Sequence, residues 1–206
     1  METVRKTLLL LVFSCMACIT NGQDSKTIIM AFGESYAFEA DASYKDAIGS
    51  LKAVYDPASY HINLRLGWLH YISGDFTGSA AYYQRAIELK PYAIEARFGL
   101  TYPASSLGNY AMVKEQYIKI LEVDPLNTVA NYYFGLMHYE TGDFEMAAIL
   151  FGKVVNLYPY DEASLLMYAW SKFRLGKLRE AEVLFNTVLM IDPENESAAE
   201  GLDLIK

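Results

Sequence analysis

Histidine and cysteine are the side chains most often recruited for nucleophilic and metal chemistry, and this chain has three of the first and two of the second. His61, His70 and His138 have no neighbouring carboxylate or cysteine at ligand spacing, so a metal site would have to be assembled from distant segments. Cys15 and Cys18 lie within or beside an apolar stretch near the N-terminus. The sequence carries no phosphate-cradling glycine loop, no Gly-x-Ser-x-Gly elbow and no His-Glu-x-x-His motif. Neither catalysis nor a cofactor is expected. What remains is binding chemistry, and it is aromatic. His61, Leu64, Trp68 and Tyr71, then Phe98 and Tyr102, then Tyr132, Leu136 and Tyr139, and finally Leu166, Trp170 and Phe173 recur at spacings of three and four, which places each group on one face of a helix. Both tryptophans of the chain lie on this stripe. Trp and Tyr are the side chains that most often dominate binding energy. Two readings stand: the rings pack between adjacent helices, or they line a surface that holds a partner. A helix already apolar on its core face has no folding need for a second face this rich, which favours the partner.

The elements that position the stripe are set by a 34-residue period. Pro57, Pro91, Pro125, Pro159 and Pro193 are each 34 apart, and Gly74, Gly108, Gly142 and Gly176 keep the same step, each 17 before a proline. A fixed period in this range signals stacked repeats. Proline stops a helix, and glycine past a helix end takes the left-handed conformation that closes it, so each unit is a hairpin of two antiparallel helices. The second helices repeat a core stripe: Phe76, Tyr83, Ala86, Ile87; Tyr110, Tyr117, Ile120, Leu121; Phe144, Phe151, Val154, Val155; Leu178, Phe185, Val188, Leu189. The first helices carry Leu66-Gly67, Leu100-Thr101, Phe134-Gly135 and Tyr168-Ala169, a bulky residue followed mostly by a small one that lets the helices of a hairpin approach. His70 and His138 share one repeat phase and are expected to be packed rather than free.

In these features the sequence resembles the tetratricopeptide repeat family. The resemblance implies an all-α, right-handed superhelical solenoid, and it implies that the stripe from His61 to Phe173 forms the continuous inner wall. Units 60–93, 94–127, 128–161 and 162–195 match well. The unit at 26–59 is a divergent repeat: its turn, Glu39 to Ser43, lacks the glycine, and its second helix is expected to start late, at Tyr44. Pro103 falls inside a first helix, where it removes one hydrogen bond and clashes with the preceding turn at a cost of about 3 kcal/mol. That helix is expected to be kinked or broken, with a notch beside Tyr102. The segment 196–206 reads as a capping helix with Ala199, Leu202 and Ile205 on one side, as a solenoid end requires. The family's two-carboxylate clamp uses Lys and Asn on the inner wall, where this chain has Leu64 and Trp68, so apolar or aromatic partner segments are expected instead.

Residues 1–22 stand outside the repeats. Arg5 and Lys6 precede an apolar stretch from Leu8 to Ile19, the pattern of a signal peptide. Its roughly 12 residues would rise about 18 Å as a helix, short of a hydrocarbon core of about 30 Å. Cleavage near Gly22 would leave a cysteine-free soluble protein, periplasmic or secreted. Cleavage before Cys18 would leave a lipoprotein anchored in the cell envelope, although Cys15 stands where such signals usually have leucine. The chain has 17 Lys+Arg against 25 Asp+Glu, and removing Glu2, Arg5 and Lys6 leaves 15 against 24. That balance argues against a nucleic-acid partner. The basic cluster Lys172, Arg174, Lys177, Arg179 is expected to be a solvated rim. The expected function is therefore an exported scaffold for protein–protein interaction through an aromatic concave groove. Glycan binding and self-assembly into a homo-oligomer are the alternatives; a sugar site would also call on Glu95, Glu140 and His61.

Overall fold

The computed structural model describes residues 24–206, which form eleven helices and no strand. The signal-peptide segment, with Cys15 and Cys18, lies outside the described residues. Five antiparallel hairpins follow one another and a single helix closes the stack. They are α1 Ser25–Ala40 with α2 Tyr44–Ala53, α3 Tyr60–Ile72 with α4 Phe76–Leu89, α5 Ile94–Ser106 with α6 Tyr110–Val123, α7 Thr128–Glu140 with α8 Phe144–Leu157, α9 Glu162–Arg174 with α10 Leu178–Ile191, and last α11 Glu196–Ile205. Each helix packs on the next in the chain, and α3 and α5 pack directly on each other. The result is a solenoid of stacked helical hairpins.

Local chemistry explains the repetition. All four periodic glycines have positive φ, from 70° to 85°, as closing residues of a first helix require. The next residue but one begins the second helix, and Asp75, Asn109 and Asp143 cap it by accepting the backbone N–H three residues on. The proline turns are stapled as well. Asn63 and Asn131 donate to the carbonyls of Pro57 and Pro125, and Arg97 reaches that of Pro91. In the first hairpin Ala42, at φ 55°, takes the conformation that glycine takes elsewhere, which delays α2 to Tyr44.

The core stripe is buried at Tyr83, Ala86, Tyr117, Ile120, Phe151, Val154, Phe185 and Val188. Two members depart from the expectation. Tyr110 is 61% exposed and Leu178 is 41% exposed. The corresponding rings of Phe76 and Phe144 pack on Tyr71 and Tyr139 at the end of the preceding helix, at 5.8 and 5.2 Å. Tyr110 has Ser105 in that place, and Phe173, the candidate partner for Leu178, turns instead to Trp170 at 5.5 Å. Pro103 also departs in part: α5 runs through it unbroken, and the proline ring is fully buried. In α11 the inward residues are Ala198, Gly201, Leu202 and Ile205, while Ala199 faces water.

Candidate functional site

One repeat position meets the preceding hairpin at several of the seams between hairpins. Residues 65, 99, 133, 167 and 201 are 34 apart, and Arg65, Gly99, Tyr133 and Gly201 each meet the hairpin before them. Where that residue is Gly99, α5 settles onto the buried ring of Tyr83, so closely that a Cβ would lie 2.1 Å from it; Gly67 pinches the same ring from the other side, at 2.9 Å. Gly201 does the same over Phe185, at 2.4 Å. Tyr133 occupies the position in α7, and its ring stacks on Tyr117 with centroids 6.5 Å apart and planes 8° from parallel. The stacked pair props the third and fourth hairpins apart. A cavity of about 380 Å³ opens there, lined by Tyr110, Val113, Tyr117, Tyr133, Leu136 and Glu140 among others.

Arg65 occupies the same position in α3, and a cavity of about 580 Å³ adjoins it. This cavity is lined by residues of four first helices, from Phe32 and Tyr36 of α1 to Val129 of α7. His61, Leu64, Trp68, Phe98 and Tyr102 of the sequence-derived stripe line it, together with Arg65, Tyr83 and Glu95. Its walls are aromatic and half-buried, with Tyr102 48% exposed. Tyr71 backs the wall at 5.9 Å from Trp68 and 5.4 Å from Tyr102. Polar contacts hold the N-terminal side of the cavity. Arg65 pairs with Glu39 and donates to the side chain and carbonyl of Ser35, and Trp68 Nε1 donates to Glu39 Oε1 at 2.6 Å. The hydroxyl of Tyr60 donates to Glu95 at 2.8 Å, and burial together with that carboxylate raises its pKa above the usual phenol range.

The remaining stripe residues are not in this cavity. Tyr132 lines a smaller one of about 260 Å³ with Tyr133, Val154 and Ser164. Leu136 lines the cavity propped open by Tyr133, and Tyr139 packs on Phe144. Leu166, Trp170 and Phe173 are half-buried against the C-terminal core, where Trp170 lies 5.0 Å from Phe185 and donates to Ser197 of α11. Pro103 does not line the main cavity. Phe32, Tyr36 and Arg65 were missed from the sequence. The first two belong to the divergent unit, whose turn lacks the periodic glycine, and Arg65 looks like an ordinary surface cation until its burial is known.

The histidines also gain partners that ligand-spacing arguments overlooked. His70 is buried and His138 half-buried, and their Nδ1 atoms lie 2.8 and 2.9 Å from Asp75 and Asp143, the caps of the following helices. Those two carboxyls are held below the usual carboxylate range, first by the backbone N–H of Gly78 and Met146 and then by the histidines. The spacing, a histidine five residues before a capping aspartate and repeated two units later, is the signal that could have found them. Among the described residues no three His, Cys, Asp or Glu side chains converge on a metal-sized site, and no helix is long and apolar enough to cross a membrane. In the basic cluster, Lys172 pairs with Glu180 at 2.6 Å and Arg174 lies over the ring of Phe144.

Residues 32–94 match the sequence model of the tetratricopeptide repeat. No curated protein matches the chain in sequence. Solved structures agree on the fold. A tetratricopeptide repeat protein from Parabacteroides merdae superposes with a TM-score of 0.74 at 20% identity, covering 87% of this chain and 72% of that one. MamA does so with 0.71 at 16% identity, covering 83% and 94%. YrrB, described as a tetratricopeptide-repeat protein with an unusual peptide-binding site, gives 0.69 at 12% identity, covering 85% and 92%.

Proposed function

Because residues 24–206 fold as a tetratricopeptide-repeat solenoid, we propose that the protein is an interaction scaffold that holds a peptide segment of a partner protein along its aromatic inner wall. The observation that supports this most is the cavity of about 580 Å³ beside Trp68, Phe98 and Tyr102. A concave, mostly apolar surface with a few convergent polar groups is the usual form of a binding site. Its walls are preformed: Trp68 is fixed by Glu39, and Tyr102 by Tyr71. Pre-organised rings lose little freedom on binding, which is where much of the cost of association lies. The N-terminal half of the wall is the binding half. The C-terminal half, with Trp170, backs the core. YrrB lends the reading an analogy of fold, and no more than that.

The same proposal places the scaffold outside the cytoplasm. Arg5 and Lys6 followed by the apolar stretch from Leu8 to Ile19 support export, with Cys18 deciding between a soluble and a lipid-anchored product. Intact-mass analysis of the protein recovered from the envelope and the medium tests it. A start near Gln23 is the soluble outcome, a lipid-modified Cys18 the anchored one, and an unprocessed Met1 would overturn export. For the groove, a displayed random-peptide library selected on the purified protein should yield binders that lose tenfold or more in affinity with Phe98→Ala or Tyr102→Ala. Binders indifferent to both substitutions would sink the groove reading.

A further inference from the structure

The geometry points to a chemical class for the cavity's occupant: a peptide stretch with a large apolar side chain and a neighbouring lysine or arginine, its backbone carbonyl bound by Arg65 and its cation by Glu95. This inference rests on the scaffold reading above and narrows it.

Arg65 is 8% exposed, and its guanidinium lies 3.8 Å over the ring of Tyr36. Nε donates to Ser35 Oγ, and Nη2 serves both the Ser35 carbonyl and Glu39. A guanidinium carries five N–H donors. Among the described residues Nη1 meets no acceptor. Nor is it one of the buried polar atoms sealed away without a partner, which are His70 Nε2, Asn131 Oδ1 and Ser164 Oγ. Nη1 therefore keeps access through the cavity that Arg65 lines. The positive charge of Arg65 is already matched by Glu39, so this donor suits a neutral carbonyl better than a second carboxylate. An extended peptide presents such a carbonyl at every residue.

The charge left over in the cavity is negative. Glu95 lines the cavity and is exposed, and Tyr60 satisfies one of its oxygens. Among the described residues it has no ion-pair partner, and Lys90 lies over the ring of Tyr60 at 4.6 Å. The rings of Trp68, Phe98 and Tyr102, which line the same cavity, suit a cation as well, because a ring's quadrupole is negative on its face. One apolar side chain fills the space between the rings, and a basic neighbour pairs with Glu95. Acidic segments are repelled.

The composition of the selected peptides is the test. Peptides enriched on the wild-type protein are expected to carry a large apolar residue with Lys or Arg within two positions. Synthetic versions with that cation changed to Glu should bind about tenfold more weakly, and Glu95→Gln should reduce this gap to under threefold while the apolar requirement stays. Arg65→Lys keeps the charge beside Glu39 but loses Nη1, and should weaken every peptide by about tenfold with the gap intact. If that variant does not fold, as judged by its thermal transition, an ester replacing each peptide amide in turn should give a comparable loss at one position in the wild type. Acidic or charge-indifferent binders that still require Phe98, or binders insensitive to both the Arg65 change and the ester scan, would overturn this inference and leave the scaffold reading standing. No enrichment, or enrichment indifferent to Phe98→Ala and Tyr102→Ala, would remove both.

Discussion

Trp68 and Trp170 stand at the same repeat phase, three units apart, and both pack in part against a core, yet Trp68 also lines the cavity of about 580 Å³. Each donates its indole N–H to a neighbouring first helix, Trp68 back to Glu39 in α1 and Trp170 forward to Ser197 in α11. Their own helices are similar; the seams beside them are not. Arg65 fills the seam position next to Trp68 and holds α1 through polar contacts that leave room between the helices. At the other end Gly201 lets α11 settle onto Phe185, closing the space around Trp170. Gly99 and Gly201 let the following helix settle onto a buried ring, whereas Arg65 and Tyr133 sit beside cavities of about 580 and 380 Å³, the larger of which also reaches Gly99.

The comparison can be broken most sharply at Trp170. Trp170→Ala removes packing on Phe185 and Phe173 and should cost about 3–4 kcal/mol in urea unfolding, as large-to-small changes in a core do; in the peptide assay the folded variant should still bind. A binding loss as large as that of Phe98→Ala would show that the two halves of the wall act together. Next comes the seam series. Gly99→Ala forces a methyl group against Tyr83, a ring already pinched by Gly67, and should cost about 2–3 kcal/mol. Tyr133→Ala, at a ring 49% exposed, should stay within about 1 kcal/mol. Equal costs would mean that the seam position does not control stacking.

Smaller effects sharpen the contrast between the divergent hairpin and the regular ones. Ala42→Gly relieves an L-residue held at φ 55° and should raise stability by about 0.5–1 kcal/mol, read as a higher urea midpoint. The smallest effect concerns acid. Asp75 and Asp143 have lowered pKa values in the folded state, so the stability they add is present above the unfolded carboxylate value of about 3.9 and is lost as pH falls through the lower folded values. Asp75→Asn with Asp143→Asn keeps both helix caps and should flatten the loss of stability between about pH 4 and pH 2. An unchanged acid limb would place its origin in other carboxylates.

Much of the fold was legible because its causes are local and periodic. A glycine 17 residues before a proline specifies a turn and a stop whatever surrounds them, and the hairpins at Gly74, Gly108, Gly142 and Gly176 close in the left-handed conformation their spacing implies. The late start of α2 at Tyr44 was legible for the same reason. Tyr110 and Leu178 were misjudged as core because their burial depends on a partner ring in another helix, which Ser105 does not supply and Phe173 gives elsewhere. The carboxylates beside His70 and His138 were overlooked because a hairpin turn brings together residues that look too far apart along one helix. The candidate site was half legible. His61, Leu64, Trp68, Phe98 and Tyr102 were identified from the stripe, whereas Phe32, Tyr36 and Arg65 enter it from a helix without a periodic mark and from beneath a buried ion pair.

By itself the sequence determined the helices, their pairing into hairpins and the face on which the aromatic residues lie, since period, turn chemistry and side-chain spacing act over a few residues. The tertiary structure alone decided which part of that face is open. That depends on how closely consecutive hairpins approach, and the approach is set by contacts between residues tens of positions apart: a ring against a glycine, a ring against a ring, or an arginine held by a glutamate.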